Sequence, residues 1–279
     1  MTYTELVTMV ADYCENTFPT ADMNTFIKQA EQRIYNTVQI ANLRKNVTGS
    51  LYTGNQYLSA PNDFLSVYSL AVYPYTAPTA TGTSGASTIT VSSASGVVVG
   101  YYVTGTGIGA NAQVVSLDGL VVTLSVANSG TVSGTIAVQG DYAYLLNKDV
   151  NFLREAYPNP VYRAAPKYYA IFGPNSSDVN ELSFIMGPTP DAAYKAELHY
   201  FYYPESIVTA GSTWLGDNFD SALLYGTLVE AVTYMKGEQD MVALYQAQYL
   251  QAIALLKNLG DGKQRADSYR DGQTRIPVS

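Results

Sequence analysis

Only one cysteine and one histidine occur among the 279 residues. No intrachain disulfide can form, and Cys14 and His199 cannot make up a multi-ligand zinc centre of the usual kind. Charge is scarce as well: 14% of residues are Asp, Glu, Lys or Arg, and acids outnumber bases 23 to 15. The net charge of −8 argues against a surface that grips nucleic acid by neutralising phosphates. No stretch approaches the roughly 20 uninterrupted apolar residues a bilayer span needs. The opening Met1-Thr-Tyr-Thr-Glu5 lacks the charged and apolar regions of a signal peptide, so a cytosolic origin and no membrane association are expected.

Motifs of chemistry are sparse too. Gly105-Thr-Gly-Ile-Gly109 has the look of a phosphate loop, but β-like residues rather than a helix follow it and no Gly-Lys-Ser/Thr is present. It reads as turns between strands. There is no Gly-x-Ser-x-Gly elbow, and any Ser or Cys nucleophile would depend on His199, which reads as a surface residue among polar neighbours. Asp217 and Asp220 read as helix caps rather than ligands, and Cys14 as a small buried hydrophobe. The expectation is a non-enzyme without catalytic residues, metal or cofactor.

What is abundant is tyrosine, 25 residues, whose apolar ring and water-tolerant hydroxyl suit surfaces that meet other proteins. Residues 76–140 stand apart from the rest: they hold one charged side chain, Asp118, and 11 of the 22 glycines. Short β-branched runs there (Ser87 to Ser92, Gly96 to Val103, Ala112 to Leu117, Leu120 to Val126) are separated by Gly, Asn and Asp-Gly, as in a small sandwich or barrel.

The flanks carry helical periodicity. Thr2-x-x-Glu5 predicts a capping box ahead of a helix with Leu6, Met9, Val10 and Tyr13 on one side. Asp22 predicts the cap of a second helix, with Ile27, Ala30, Ile34 and Val38 inside and Lys28, Glu31, Arg33 and Gln39 largely outside. Gly54-Asn55 predicts a hairpin between Val47–Thr53 and Gln56–Ala60, and Phe64–Tyr73 a strand entering the β-rich segment. Asn147 precedes a short helix stopped by Pro158. Strands at 182–186 and 194–203 bracket a tight connection, the second with Tyr194, Ala196, Leu198, Tyr200 and Tyr202 on one face. Asp217 or Asn218 predicts the cap of a helix carrying Leu224, Leu228, Ala231 and Met235. A long helix bears Met241, Leu244, Tyr245, Gln248, Tyr249, Ala252, Leu255, Leu256 and Leu259, with a stop at Gly260. The polar residues 261–279 lack core periodicity. The fold expected is α+β: a helical body over 1–75 and 141–260 with a small antiparallel sheet, an inserted all-β, sandwich-like domain over 76–140, and an extended C-terminal arm over 261–279.

Four segments in order carry a resemblance: Phe26-Ile-Lys-Gln-Ala-Glu-Gln-Arg-Ile-Tyr35, Tyr57-Leu-Ser-Ala-Pro-Asn-Asp-Phe64, Lys148-Asp-Val-Asn-Phe-Leu-Arg-Glu-Ala-Tyr-Pro158 and Gly187-Pro-Thr-Pro-Asp-Ala-Ala-Tyr194. Over residues 1–75 and 141–265 the chain resembles the head-to-tail adaptor, or connector, proteins of tailed bacteriophages, short-tailed ones especially. The segment 76–140 departs from a minimal adaptor. The resemblance implies a structural virion protein at the head-tail junction, assembled in the host cytoplasm. It implies a ring of this chain, usually of twelve copies, beneath the portal protein. That ring would extend the DNA channel without binding DNA tightly and dock a tail nozzle or tail tube protein. It further implies that the arm reaches the portal through Arg265, Tyr269, Arg270, Arg275 and Ile276, and that helices carrying Tyr245, Tyr249 and Leu256 stand at subunit contacts. The rival expectation is a decoration or host-recognition protein that binds a glycan or receptor through the β segment.

Overall fold

The computed structural model describes residues 1–38, 43–173 and 182–271, with side chains as far as residue 259. In chain order, two helices, α1 (Tyr3–Cys14) and α2 (Thr20–Thr37), precede twelve strands. These are β1 (Arg44–Leu51), β2 (Tyr57–Ser59), β3 (Phe64–Thr76), β4 (Thr79–Gly82), β5 (Thr88–Val91), β6 (Tyr102–Thr104), β7 (Val114–Asp118), β8 (Val121–Leu124), β9 (Val132–Thr135), β10 (Ala137–Gln139), β11 (Ala143–Tyr144) and β12 (Leu146–Asn147). Then come α3 (Val150–Ala156), β13 (Tyr168–Gly173), β14 (Ser183–Gly187), β15 (Tyr194–Tyr202), α4 (Ile207–Ala210), α5 (Trp214–Asn218), α6 (Asp220–Tyr234) and α7 (Gln239–Asp271). Helices and antiparallel sheets together make the fold α+β. The chain forms two compact units: one holds Met1–Arg44 and the chain from Phe201 onward, the other Lys45–Tyr200. The breaks in composition at 75 and 141 both lie inside the second unit.

In the helical unit the capping box forms: the Glu5 amide donates to Thr2 Oγ1 and the Thr2 amide to the Glu5 carboxylate at 2.7 Å. Leu6 and Val10 are buried, whereas Tyr13, the fourth residue of the expected stripe, is 46% exposed. Pro19, not Asp22, caps α2; Asp22 lies within its first turn, an acid at the positive end of the helix. Met23, Phe26, Ile27, Ala30, Ile34 and Tyr35 form the buried face. Glu31, expected outside, is buried among them, and its carboxylate accepts from the Ile207 amide at 2.8 Å at the start of α4. That hydrogen bond offsets the cost of taking a carboxyl out of water.

Asp217 and Asn218 do not cap α6. They belong to α5, capped by Thr213, whose hydroxyl accepts from the Gly216 amide at 3.2 Å. Gly226 lets α6 lie close to α2 and α7 at once: a Cβ there would meet the Ala30 methyl and the Tyr249 ring, each at 3.2 Å. The stop expected at Gly260 is not where α7 ends, since the helix runs on to Asp271. A helical glycine costs only about 1 kcal/mol relative to alanine, and good helix formers such as Lys263, Gln264, Arg265 and Ala266 follow. Residues 261–271 are therefore helical rather than extended, and 272–279 lie outside the described residues.

In the β unit the hairpin expected around Gly54-Asn55 is absent. Gly54 does turn the chain, with φ of +80°, but β1 lies beside β15 and β2 pairs with β14, Tyr57 opposite Ile185. Likewise β14 and β15 do not pair with each other: one joins the sheet β12-β13-β14-β2, the other the sheet β1-β15-β3-β10-β6. Along β15 burial alternates as expected up to Tyr200 and then slips, with Phe201 buried and Tyr202 half-buried. Asp149 caps α3, its carboxylate accepting from the Phe152 amide at 2.6 Å.

Residues 76–140 supply the five-stranded sheet β7-β8-β5-β4-β9 together with β6 and β10. Ile89, Val91, Val122 and Leu124 of that sheet share one core with Val103 of β6 and Val138 of β10, so two layers face each other as in a sandwich. The second layer continues the sheet that contains β3. Gln139 stands opposite Tyr75 there, which places the two ends of the segment on neighbouring strands. Gly107, with φ of +83°, passes so close to the 130–131 backbone that a Cβ would lie 2.5 Å from the Thr131 carbonyl oxygen. The glycines of 105–109 thus serve a close crossing of chains, as turns between strands.

Candidate functional site

The helix α3 gathers a group of aromatic side chains on the sheet β12-β13-β14-β2 of the β unit. Asp149 starts this helix and Pro158 follows its end. Leu153 anchors it on Ala170 of β13 and Ile185 of β14, and a Cβ at Gly187 would lie 2.6 Å from Leu153, so the fit is close. Phe152 meets Tyr168 edge-on at 5.5 Å, Tyr168 lies 6.4 Å from Tyr157, and Tyr157 stacks on Tyr162 with planes 11° apart. Beside them Arg154 lies over the Phe172 ring at 5.9 Å and donates to the Tyr57 hydroxyl at 3.1 Å, while Phe172 is 5.5 Å from Tyr57. Lys148 lies over Phe152 at 5.2 Å. The rings hold one another in place, yet Phe152, Tyr162 and Phe172 are exposed, and Val161 is 75% exposed. Ordered aromatics with arginine among them are what protein contact surfaces concentrate.

A second cluster in this unit surrounds Glu197. Its carboxylate accepts from Asn46 at 2.8 Å, lies 3.1 Å from His199 Nε2 and is hydrogen-bonded by the Tyr142 hydroxyl. The Tyr142 bond, foremost, holds the Glu197 carboxyl below its ordinary range. The same bond pushes the Tyr142 phenol up to about 12, so it keeps its proton across the physiological range. Tyr73 packs on Tyr142 at 4.6 Å. The cluster ties Glu197 and His199 of β15 to Asn46 of β1 and to Tyr142. No group of three His, Cys, Asp or Glu among the described residues could hold a metal ion. Cys14 is half-buried, and burial raises its thiol pKa, which leaves it protonated.

On α7 the residues expected at subunit contacts face inward. Tyr245, Tyr249 and Leu256 are buried with Ala252 and Ile253 in the core of the helical unit. The apolar residues that α7 leaves in water are others: Leu244 and Leu255 are 50% and 58% exposed, with Met241 and Leu250 also exposed. Arg265, Tyr269 and Arg270 fall on the last turns of α7, and Arg275 and Ile276 lie outside the described residues. The α3 aromatic group escaped the sequence reading. Its signal was present as interleaved basic and aromatic residues between Lys148 and Phe172, but only the fold stacks the rings.

A family model described as SU10 adaptor protein matches residues 1–109 and 109–276. The two ranges meet within the glycine- and threonine-rich segment and together reach into both compact units. No curated protein matches the chain.

Proposed function

We propose, on the premise that the chain belongs to the SU10 adaptor protein family, that it forms a ring joining a phage portal to the tail and extending the DNA channel. Membership makes it a phage structural adaptor, a virion component with a non-enzymatic role that interacts with other head and tail proteins. Among the described residues no helix is long and apolar enough to cross a membrane. The observation that carries the reading is the family match over nearly the whole chain.

Physical features support the finer reading. A net charge of −8 per copy, multiplied around a ring, would repel passing DNA rather than hold it. Exposed aromatics on the β unit and exposed leucines on α7 offer separate surfaces for neighbours. Twelve copies, a short-tailed phage, a tail nozzle or tube below and portal contact through residues 261–279 complete the proposal. The test is to mix the purified chain with its portal and image the product by negative stain. Closed rings on the portal are expected; a chain that stays monomeric and leaves the portal bare sinks the reading. Truncation after Gly260 removes the last turns of α7 and everything beyond, and it is expected to abolish docking while the remaining chain still folds. A duplex DNA titration in moderate salt is expected to show no saturable binding, whereas submicromolar affinity falling steeply with salt would mean a concentrated basic face.

A second reading has its own observation. On the outward face of the five-stranded sheet Thr81 pairs with Thr90, Thr88 with Thr123 and Thr79 with Thr135, an uncharged array of hydroxyls suited to a neutral glycan. In that reading the chain binds cells or polysaccharide alone, without the portal.

A further inference from the structure

We propose that the aromatic and basic surface built by α3 and β13 docks on the outward stripe of α7 of a second copy of this chain. The inference rests on the ring reading and names its contact.

Charge selects the occupant. Between Leu146 and Gly173 four basic residues (Lys148, Arg154, Arg163, Lys167) stand against two acidic ones (Asp149, Glu155), so this exposed stretch is net positive in a chain of net −8. From Phe201 to Leu259 two basic residues stand against six acidic ones, and Glu238 and Asp240 lie at the start of α7. A net excess of two positive charges is too small for nucleic acid, which takes clustered Lys and Arg. It does match an acidic helical surface.

The apolar parts match as well. The inward face of α7 is filled by Tyr245, Tyr249 and Leu256, yet Met241, Leu244 and Leu255 stay exposed, and half-buried Gln248 and exposed Gln251 continue their row at alternating spacings of three and four residues. That spacing makes a row of shallow hollows along one side of a helix, where the three apolar side chains and two glutamines offer the mix of apolar and amide groups that a partner surface can cover. Phe152, Tyr162 and Phe172 are projecting rings already ordered by their stacking, so little side-chain entropy is lost when they enter such hollows. Because donor and acceptor surfaces differ, the contact is head-to-tail, the kind that closes into a ring when its rotation permits.

Photo-crosslinking in assembled particles tests this. The full chain carrying Tyr162→p-benzoylphenylalanine, mixed as ¹⁴N and ¹⁵N copies and assembled on portal rings, is expected to give mixed-isotope crosslinks between residue 162 and peptides within 239–257. The exposed double substitution Leu244→Glu with Leu255→Glu is expected to cut assembly at least tenfold with an unchanged melting temperature, and Arg154→Glu, which also removes the Arg154 contacts with Tyr57 and Phe172, to cut it as far. Rings that assemble undiminished with these substitutions, or crosslinks from residue 162 that reach only its own chain, the portal or added duplex DNA, overturn this inference and leave the ring reading standing. Wild-type chain that assembles no ring sinks both.

Discussion

The β-rich segment and the helical unit bury different things. The core shared by β4 to β10 is made of Ala, Val, Ile and Leu, with Tyr101 only partly buried against it. The helical unit buries Phe26, Tyr35, Tyr245 and Tyr249 together with the carboxylate of Glu31. Two sheets face each other at about 10 Å, a gap that small aliphatic chains fill, with Asn128 the one buried polar side chain described in this segment, its amide donating to the Thr83 and Thr88 carbonyls. Helices packed on one another leave less regular gaps. Tyrosines and one acid fill them, and their polar atoms are costly to bury without a partner; Glu31 has one in the Ile207 amide, whereas the Tyr249 hydroxyl makes no hydrogen bond among the described residues. Stability in the first region therefore depends mostly on volume, and in the second more on its buried polar groups.

The largest test of that contrast removes the β-rich segment outright. Tyr75 and Gln139 stand opposite each other, so a short Gly/Ser linker can replace residues 76–140. We expect a soluble protein with its helical circular dichroism intact; aggregation or loss of the helical signal would show that the segment belongs to the same cooperative core. Next in size, Ile89→Ala empties a fully buried position of the sandwich-like core. It is expected to cost about 2–5 kcal/mol in chemical denaturation, with the same loss at pH 5 and pH 7, because no titrating group faces it.

Glu31 sharpens the other side. Burial raises its carboxyl above the ordinary 4.5, and the Ile207 amide only partly opposes the rise. The folded chain then holds a proton that the unfolded chain has released, so this group's contribution is fully present below about pH 4.5 and is lost as pH climbs towards the raised folded value. Glu31→Gln keeps an acceptor for Ile207 and is expected to flatten that part of the stability–pH curve. Glu31→Ala strands the amide and is expected to cost about 1–3 kcal/mol at low pH. An unchanged curve in the Gln variant would mean the carboxyl is not the titrating group. The smallest expected effect is Thr2→Ala, which removes the α1 cap for about 1 kcal/mol and leaves the β unit's melting untouched.

Local chemistry written in the sequence determined the α1 capping box, the buried faces of α1, α2 and α6, the strand positions at 183–187 and 194–202, the turn at Gly54 and the β character of residues 76–140. Each depends on neighbours within a few residues: a hydroxyl three positions from an amide, a period of 3.6 or 2, a glycine free to take positive φ. Partnership was decided only by the tertiary structure. β2 finds β14 more than a hundred residues away instead of β1 across Gly54-Asn55, because a hairpin signal specifies a turn but does not choose the strand that Tyr57, Leu58 and Ser59 pair with. Glu31 looks like a surface acid until Ile207 arrives from the far end of the chain, and the rings around Arg154 become one surface only when α3 settles on β13 and β14. The apolar stripe of α7 was visible as a stripe. Which half faces inward was not, because the same leucine is equally apolar on either side, and only packing against α2 and α6 decides which side loses its water.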